Sequence, residues 1–280
     1  MKYQIPKPRF LRHLRSSHAR YRYGLVTNKF GTANKLRCLV SALRSCEEVH
    51  CDDEQLNSLL LKPLLSSRPE CDYQRFSTWR LDSPFWDPLD YRKGYRGSVF
   101  LDGCRDKEVI TQKNAVDLEY FNIPRKLRRD IARSFRSIEF SHSIVESADQ
   151  IRSLFKGEPC AGVAIRTWVD CLERRHLFDL ATFEQQLKRL HPDYTIFLTS
   201  DSPDLEAYIA SRYKRRIITS SRLLDGDTHV GPARSIESHQ RALREILVLA
   251  GADLLIGSYM STFIEVAWWL SGAEKPIHVV

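Results

Sequence analysis

Residues 243–269, LREILVLAGADLLIGSYMSTFIEVAWW, decide how the rest of the chain is read. Leu243, Ile246, Leu247 and Ala250 recur at helical spacing, and Gly251 offers a stop. The apolar run Leu254, Leu255 and Ile256 is too short for a helix and suits a fully buried parallel strand. A loop from Gly257 leads to Ser261 and Thr262, and a second apolar periodic run extends from Phe263 to Leu270. Helix, buried strand, loop, helix is half of a doubly wound α/β domain, whose ligands bind at the carboxyl ends of its strands. A helix beginning with hydroxyl residues just past a strand offers unpaired N–H groups and a positive dipole end, which suits a phosphate. The plainer alternative is that Ser261 only caps the helix.

The same alternation continues outward on both sides. Strands are expected at 161–165, 194–198, 216–219, 254–256 and 276–280, with helices at 182–190, 205–213, 236–250 and 263–270. This predicts a Rossmann-like domain with a five-stranded parallel sheet over residues 158–280. Ahead of it, 155–159 breaks the pattern and reads as a linker. Residues 21–157 read as an N-terminal α/β domain, opening with a strand at 23–27, a loop through Gly31, and a helix carrying Leu36, Leu39, Val40 and Leu43. Lys35, Arg37 and Arg44 are assigned to the other faces of that helix. Leu56, Leu59, Leu60 and Leu64 suggest a short helix, and Trp79 to Pro88 a loop. A strand is expected at 98–101, and after Pro124 a helix with a solvated basic face.

Composition sets the class. With 280 residues, 42% of them hydrophobic and 28% charged, the chain has material for two globular domains of ~100–150 residues each. No apolar run approaches the ~20 residues of a membrane span, and the N-terminal residues lack the apolar core of a secretory signal. The formal charge of +8 is concentrated at the front: residues 1–46 hold 11 Lys or Arg and no acid, leaving 32 basic and 35 acidic residues for the rest. Residues 1–20 therefore read as a basic arm able to attract acidic partners without specificity. Organelle-targeting segments share this Arg-rich, acid-free composition, but Pro6 and Pro8 interrupt an amphipathic helix. No zinc-finger or RRM-type pattern supports nucleic-acid readout. Seven cysteines without a CxxC pair point to a reducing, cytoplasmic setting, and no Cys/His grouping supports a metal site.

Polar residues gather where the strands of the second domain end. The first strand ends in Arg166 and Thr167, with Asp170 and Glu173 following on the same loop. The next ends in Thr199, Ser200, Asp201 and Ser202, and a later one in Gly257 and Ser258 before Ser261 and Thr262. An arginine at such a point can clamp a diphosphate with two parallel hydrogen bonds; the competing reading is a surface ion pair with Asp170. Asp170 and Glu173 are the candidate general bases, against solvation of their loop or pairing with Arg174 and Arg175. Asp201-Ser202-Pro203 is also an ordinary helix start, and Asp225-Gly226-Asp227 reads as a turn rather than a metal–nucleotide motif.

The order of Ile165-Arg166 at a strand end, FLTSDS at 197–202, an acid on a helix, then ADLLIG at 252–257 and STF at 261–263 resembles the fucosyltransferase superfamily. That group includes the nodulation and core α1,6-fucosyltransferases and the protein O-fucosyltransferases. The resemblance covers residues 160–272, and touches the N-terminal half at 24–43 through KFGTANKLRCLVSAL. It implies a GT-B-like α/β fold, two Rossmann-like domains facing a cleft, and metal-independent inverting transfer from GDP-fucose to a glycan or protein hydroxyl. By the same resemblance Arg166 binds the donor's β-phosphate, and Ser261, Thr262 and Phe263 form the phosphate-binding element. Glu245 stands near the acid that contacts guanine, Gly31 and Asn34 close over the diphosphate, and Ser200 and Asp201 join the donor-binding group. Two positions depart from the family pattern: Ala164 stands where a His precedes the arginine, and Thr32-Ala33 separates Gly31 from Asn34. Ala164 makes a non-catalytic relative that binds a nucleotide sugar or glycan the alternative reading.

Overall fold

In the computed structural model, residues 21–77, 125–155, 157–168, 175–213, 216–223, 235–259 and 261–280 are described. Two parallel sheets organise them. The first contains β1 (Tyr21–Val26), β2 (Cys46–Cys51) and β3 (Tyr73–Phe76), in the order β2-β1-β3. Helix α1 (Thr32–Ser45) follows β1, and the single turn α2 (Glu54–Asn57) follows β2. Two further helices, α3 (Arg125–Arg136) and α4 (His142–Ser153), lead to the second sheet. That sheet contains β4 (Cys160–Ile165), β5 (Thr195–Ser200), β6 (Ile217–Thr219), β7 (Leu254–Gly257) and β8 (Ile277–Val279), in the order β6-β5-β4-β7-β8. Its connections carry α5 (Leu180–Arg189), α6 (Pro203–Arg212), the short α7 (Ser220–Leu223), α8 (Ile236–Gly251) and α9 (Thr262–Leu270). The α/β class and all five expected strands of the second sheet are present.

Strand β4 is central because every one of its residues is buried, so it has no solvent face to alternate with. Ala161, Val163 and Ile165 point into a core with Phe183, Leu187 and Ile209 of α5 and α6. Ala164 joins the opposite core, with α8 and α9. The sheet is thus covered by helices on both faces. Gly162 permits the close approach of α8, since a Cβ there would lie 2.9 Å from Leu249 and 3.1 Å from Ala252. The second core runs without interruption from Val26 of β1 through Leu36 and Leu39 of α1 to Trp268 and Trp269 of α9. Phe135 of α3 stacks parallel on Trp269 with centroids 6.2 Å apart. Helix α4, ahead of the expected linker in sequence, packs on α8 behind it.

Several expectations for the N-terminal half need correction. Strands β2 and β3 and helix α4 were not among the expected elements. The helix expected from Leu56 to Leu64 is one turn, capped by Asp53, whose side chain accepts from the N–H groups of Gln55 and Leu56. Beyond it the chain bends away because the Asn57 Oδ1 accepts from the Leu64 N–H at 2.9 Å. Lys35 and Arg37 do not lie on outer faces of α1 but are 1% and 0% exposed. The helix is enclosed by β1, α3 and α9, so its cations are paired inside the protein rather than solvated. The expected loop from Trp79 to Pro88, the strand at 98–101 and the Asp225-Gly226-Asp227 turn lie outside the described residues.

Candidate functional site

The strand order reverses between β4 and β7: from β4 the chain winds outward through β5 and β6, then returns to β7 on the other side. In open α/β sheets a crevice forms at that point, beyond the carboxyl ends of the two strands. Arg166 and Thr167 leave β4 there, and Gly257 and Ser258 leave β7. The two exits are tied together. The Arg166 N–H donates to Ser258 Oγ at 2.7 Å, and the Ser258 N–H to the Ala164 carbonyl at 3.1 Å. Gly257 brings α9 close, since a Cβ at that position would meet Ile264 at 2.6 Å. Ser261 occupies the N-cap of α9 and is 4% exposed, but its hydroxyl makes no capping hydrogen bond. A helix's first-turn N–H groups have no acceptor within the helix, so Thr262 and Phe263 present an anion-seeking terminus beside the crevice, while the Ser261 N–H donates to the Ser258 carbonyl at 3.2 Å.

Arg166 is held from the neighbouring strand. Its Nε lies 3.3 Å from Asp201 Oδ2, and its guanidinium sits 5.5 Å from the Trp168 ring centroid. The other oxygen of Asp201 accepts from the Thr167 N–H at 2.8 Å and the Thr167 hydroxyl at 2.9 Å. Asp201, 1% exposed in its side chain, is therefore a clamp on the Arg166 loop. Trp168 adopts φ 57°, a conformation costly for a bulky side chain. The Ser200 N–H donates to Glu206 Oε1 at 2.7 Å, and Glu206 also accepts from the Ser220 hydroxyl and the Ser221 N–H, both at 3.0 Å. Ser202 caps α6, and Pro203 follows it. The Ser200 N–H and the Asp201 carboxylate, expected in the donor-binding group, thus have partners within the protein.

Glu245, on α8, is also paired within the protein. Its carboxylate accepts from the Thr199 hydroxyl at 2.9 Å and from Arg241 Nε at 3.1 Å, beneath the end of β5. Burial holds its carboxyl above the usual carboxylate range, against the opposing pull of Arg241, Thr199 and Ser220.

The N-terminal half reaches the crevice through α1. Gly31 is its N-cap, and the half-buried Asn34 accepts from Arg37 at 3.4 Å. Arg37 lies 3.7 Å from Glu265 of α9, both side chains being fully buried, and Trp269 Nε1 donates to Glu265 at 3.2 Å. The Thr32 hydroxyl contacts His239 Nδ1 in the first turn of α8 at 2.8 Å. The opening turns of α1, α8 and α9 are thereby drawn together on the carboxyl side of both sheets. Glu206, His239 and Glu265 carried no motif, and only their pairing in space reveals them.

Beside the crevice, between the ends of β4 and β5, lies a pocket of about 530 Å³ lined by Thr167, Arg175, Phe178, Asp201, Ser202 and Pro203. Asp170 and Glu173 lie outside the described residues. Among those described, no group of three His, Cys, Asp or Glu side chains is placed to hold a metal ion, and no helix is long and apolar enough to cross a membrane. Burial pushes the thiols of Cys46 and Cys160 up to about 12 and that of Cys51 to about 11, so none is a nucleophile.

No protein-family model and no curated protein matches the sequence. Among solved structures, the backbone is similar to that of NodZ, the α-1,6-fucosyltransferase known from Bradyrhizobium, in crystals soaked with GDP-fucose. That match has 15% identity over 89% of this chain and 92% of that one, with a TM-score of 0.49. A mutant of Arabidopsis thaliana FUT1 in complex with GDP is 15% identical over 97% of this chain and 72% of that one, with a TM-score of 0.47. POFUT1 in complex with GDP is 17% identical over 55% of this chain and 49% of that one, with a TM-score of 0.37.

Proposed function

We propose that this protein is a glycosyltransferase that moves fucose from GDP-fucose to a hydroxyl of a glycan or protein, with inversion and without a metal. In this reading residues 158–280 bind the nucleotide sugar and residues 21–157 close the other side of the cleft. The observation that carries it is the crevice between β4 and β7, where a clamped Arg166 stands beside the uncapped terminus of α9. The sequence resemblance at the same two elements supplies the choice of donor.

The chemistry follows from that geometry. The acceptor oxygen forms a bond to the anomeric carbon as the bond from that carbon to the β-phosphate oxygen breaks. The electron pair leaves with GDP, and the acceptor proton passes to a carboxylate, for which Asp170 and Glu173 are the candidates. Negative charge grows on the departing diphosphate, where the Arg166 guanidinium and the N–H groups of α9 offset it.

GDP titration by calorimetry tests the reading, together with assays for GDP-fucose hydrolysis and transfer. Arg166→Ala removes a charge-assisted contact of about 1.5–3 kcal/mol, so GDP affinity is expected to fall roughly 10- to 100-fold with the fold intact. Unchanged affinity would remove Arg166 from the site. A second reading, binding without turnover, draws on Ala164, which is buried and offers no imidazole from β4. GDP-fucose binding with neither hydrolysis nor transfer would favour it.

A further inference from the structure

We propose that the pocket between the ends of β4 and β5 is the subsite for one sugar ring of the acceptor, an inference that rests on the transferase reading above. Its volume of about 530 Å³ falls within the usual range for small-molecule sites, roughly 300–1,000 Å³, and has room for a pyranose with some water. The lining suits such a ring. Phe178 and Pro203 offer apolar surface for the C–H face, while Arg175, Thr167 and Ser202 bring polar atoms for the hydroxyls. A lipid tail would require a uniformly apolar wall.

The position is equally specific. Asp201 steers Arg166 through one carboxylate oxygen while the residue also lines the pocket, and Thr167 belongs to both places. A ring seated there lies one strand over from the crevice, next to the residues that hold Arg166. An inverting displacement needs its acceptor on the side of the anomeric carbon away from the departing diphosphate, and the pocket adjoins the crevice through Thr167 and through Asp201, which pairs with Arg166. The walls are held in place. Ser202 caps α6, the Phe178 N–H donates to the Arg175 carbonyl at 3.2 Å, and the Phe178 ring packs on Phe183 with centroids 6.3 Å apart. Acceptor recognition thus begins on the donor-side half of the molecule.

Saturation-transfer NMR with the methyl glycosides of glucose, galactose, mannose, N-acetylglucosamine and fucose, recorded at saturating GDP, tests the assignment. At least one glycoside is expected to bind the wild type. Phe178→Leu keeps the apolar contact with Phe183 but removes the ring face, and is expected to weaken that signal at least fivefold. Phe178→Tyr restores the face and the signal, and GDP affinity stays unchanged in both. Arg175→Ala, at an exposed side chain, is a second variant expected to weaken the signal severalfold. Melting temperatures verify that each variant folds. No glycoside signal with GDP bound, or equal signals in the wild type and Phe178→Leu, overturns the subsite. Failure of the wild type to bind GDP overturns the transferase reading and the acceptor role with it. Loss of a glycoside signal in Phe178→Leu would then still mark the pocket as a carbohydrate site.

Discussion

The two sheets use polar residues in different ways. In the five-stranded sheet they sit past the strand ends and bind one another across strands: Arg166 and Thr167 to Asp201, Arg166 to Ser258, and Ser200 to Glu206. In the three-stranded sheet the charged groups lie inside. Lys35 pairs with Asp53 and donates to the Asn28 carbonyl at 2.9 Å, while the fully buried His50 contacts Glu48 at 2.6 Å and the Ser66 carbonyl at 2.7 Å. Tyr23 and Tyr73 flank that imidazole, their ring centroids 6.1 and 5.1 Å from it. The first arrangement shapes an edge that a ligand can meet. The second holds loops and strands of the protein to each other. Similar residue types thus serve a site or a scaffold according to whether their partners stand at a strand end or within the core.

The seam between the two halves gives the strongest way to break this contrast. Glu265→Ala leaves the Arg37 guanidinium buried without its carboxylate, and breaking such a pair costs about 3–5 kcal/mol. Urea unfolding should register that loss. A change below about 1 kcal/mol would mean that apolar contacts alone join α1 to α9.

Gly257→Ala probes the site edge instead. The added methyl collides with the Cβ and both γ-carbons of Ile264, three contacts of 2.6–2.7 Å, and overpacking of this kind costs about 1–3 kcal/mol. Because α9 must move, GDP affinity should fall together with stability. If stability drops while GDP affinity holds, the terminus of α9 is not where the diphosphate sits.

The smallest effect is a pH dependence. Burial raises the Glu245 pKa above its unfolded value, so the folded state holds that proton more tightly. Its stabilising contribution is full below the ordinary carboxylate pKa and is lost as pH rises through the raised value. The stability of the wild type relative to Glu245→Gln should therefore decline in urea titrations as pH rises above the ordinary carboxylate range. A difference that grows with pH would mean that Arg241 and the hydroxyls outweigh desolvation.

Periodicity made the five-stranded sheet legible because buried parallel strands and amphipathic helices alternate without interruption after residue 160. The strand-end positions of Arg166, Asp201 and Ser261 followed from the same pattern, since a strand's last residue determines which side chains reach the edge. What the pattern lacked was partner identity. Spacing alone offers Asp170, four residues from Arg166, as its partner, whereas the Arg166 pair among the described residues is with Asp201, 35 residues on. Strands β2 and β3 escaped notice because the runs CEEVHC and YQRF carry charge at positions where the expected pattern is apolar.

By itself, then, the amino-acid sequence determined the α/β class, the elements of the second half and the edge on which its polar residues stand. Local apolar spacing suffices for these, because each element must bury its own stripe or face. Only the tertiary structure decided that Lys35 and Arg37 are interior cations, that Asp201 and Glu245 hold the protein rather than face outward, and that a pocket opens beside Arg166. Those outcomes depend on which charge meets which across tens or hundreds of residues, and desolvation makes each such meeting either stabilising or prohibitive.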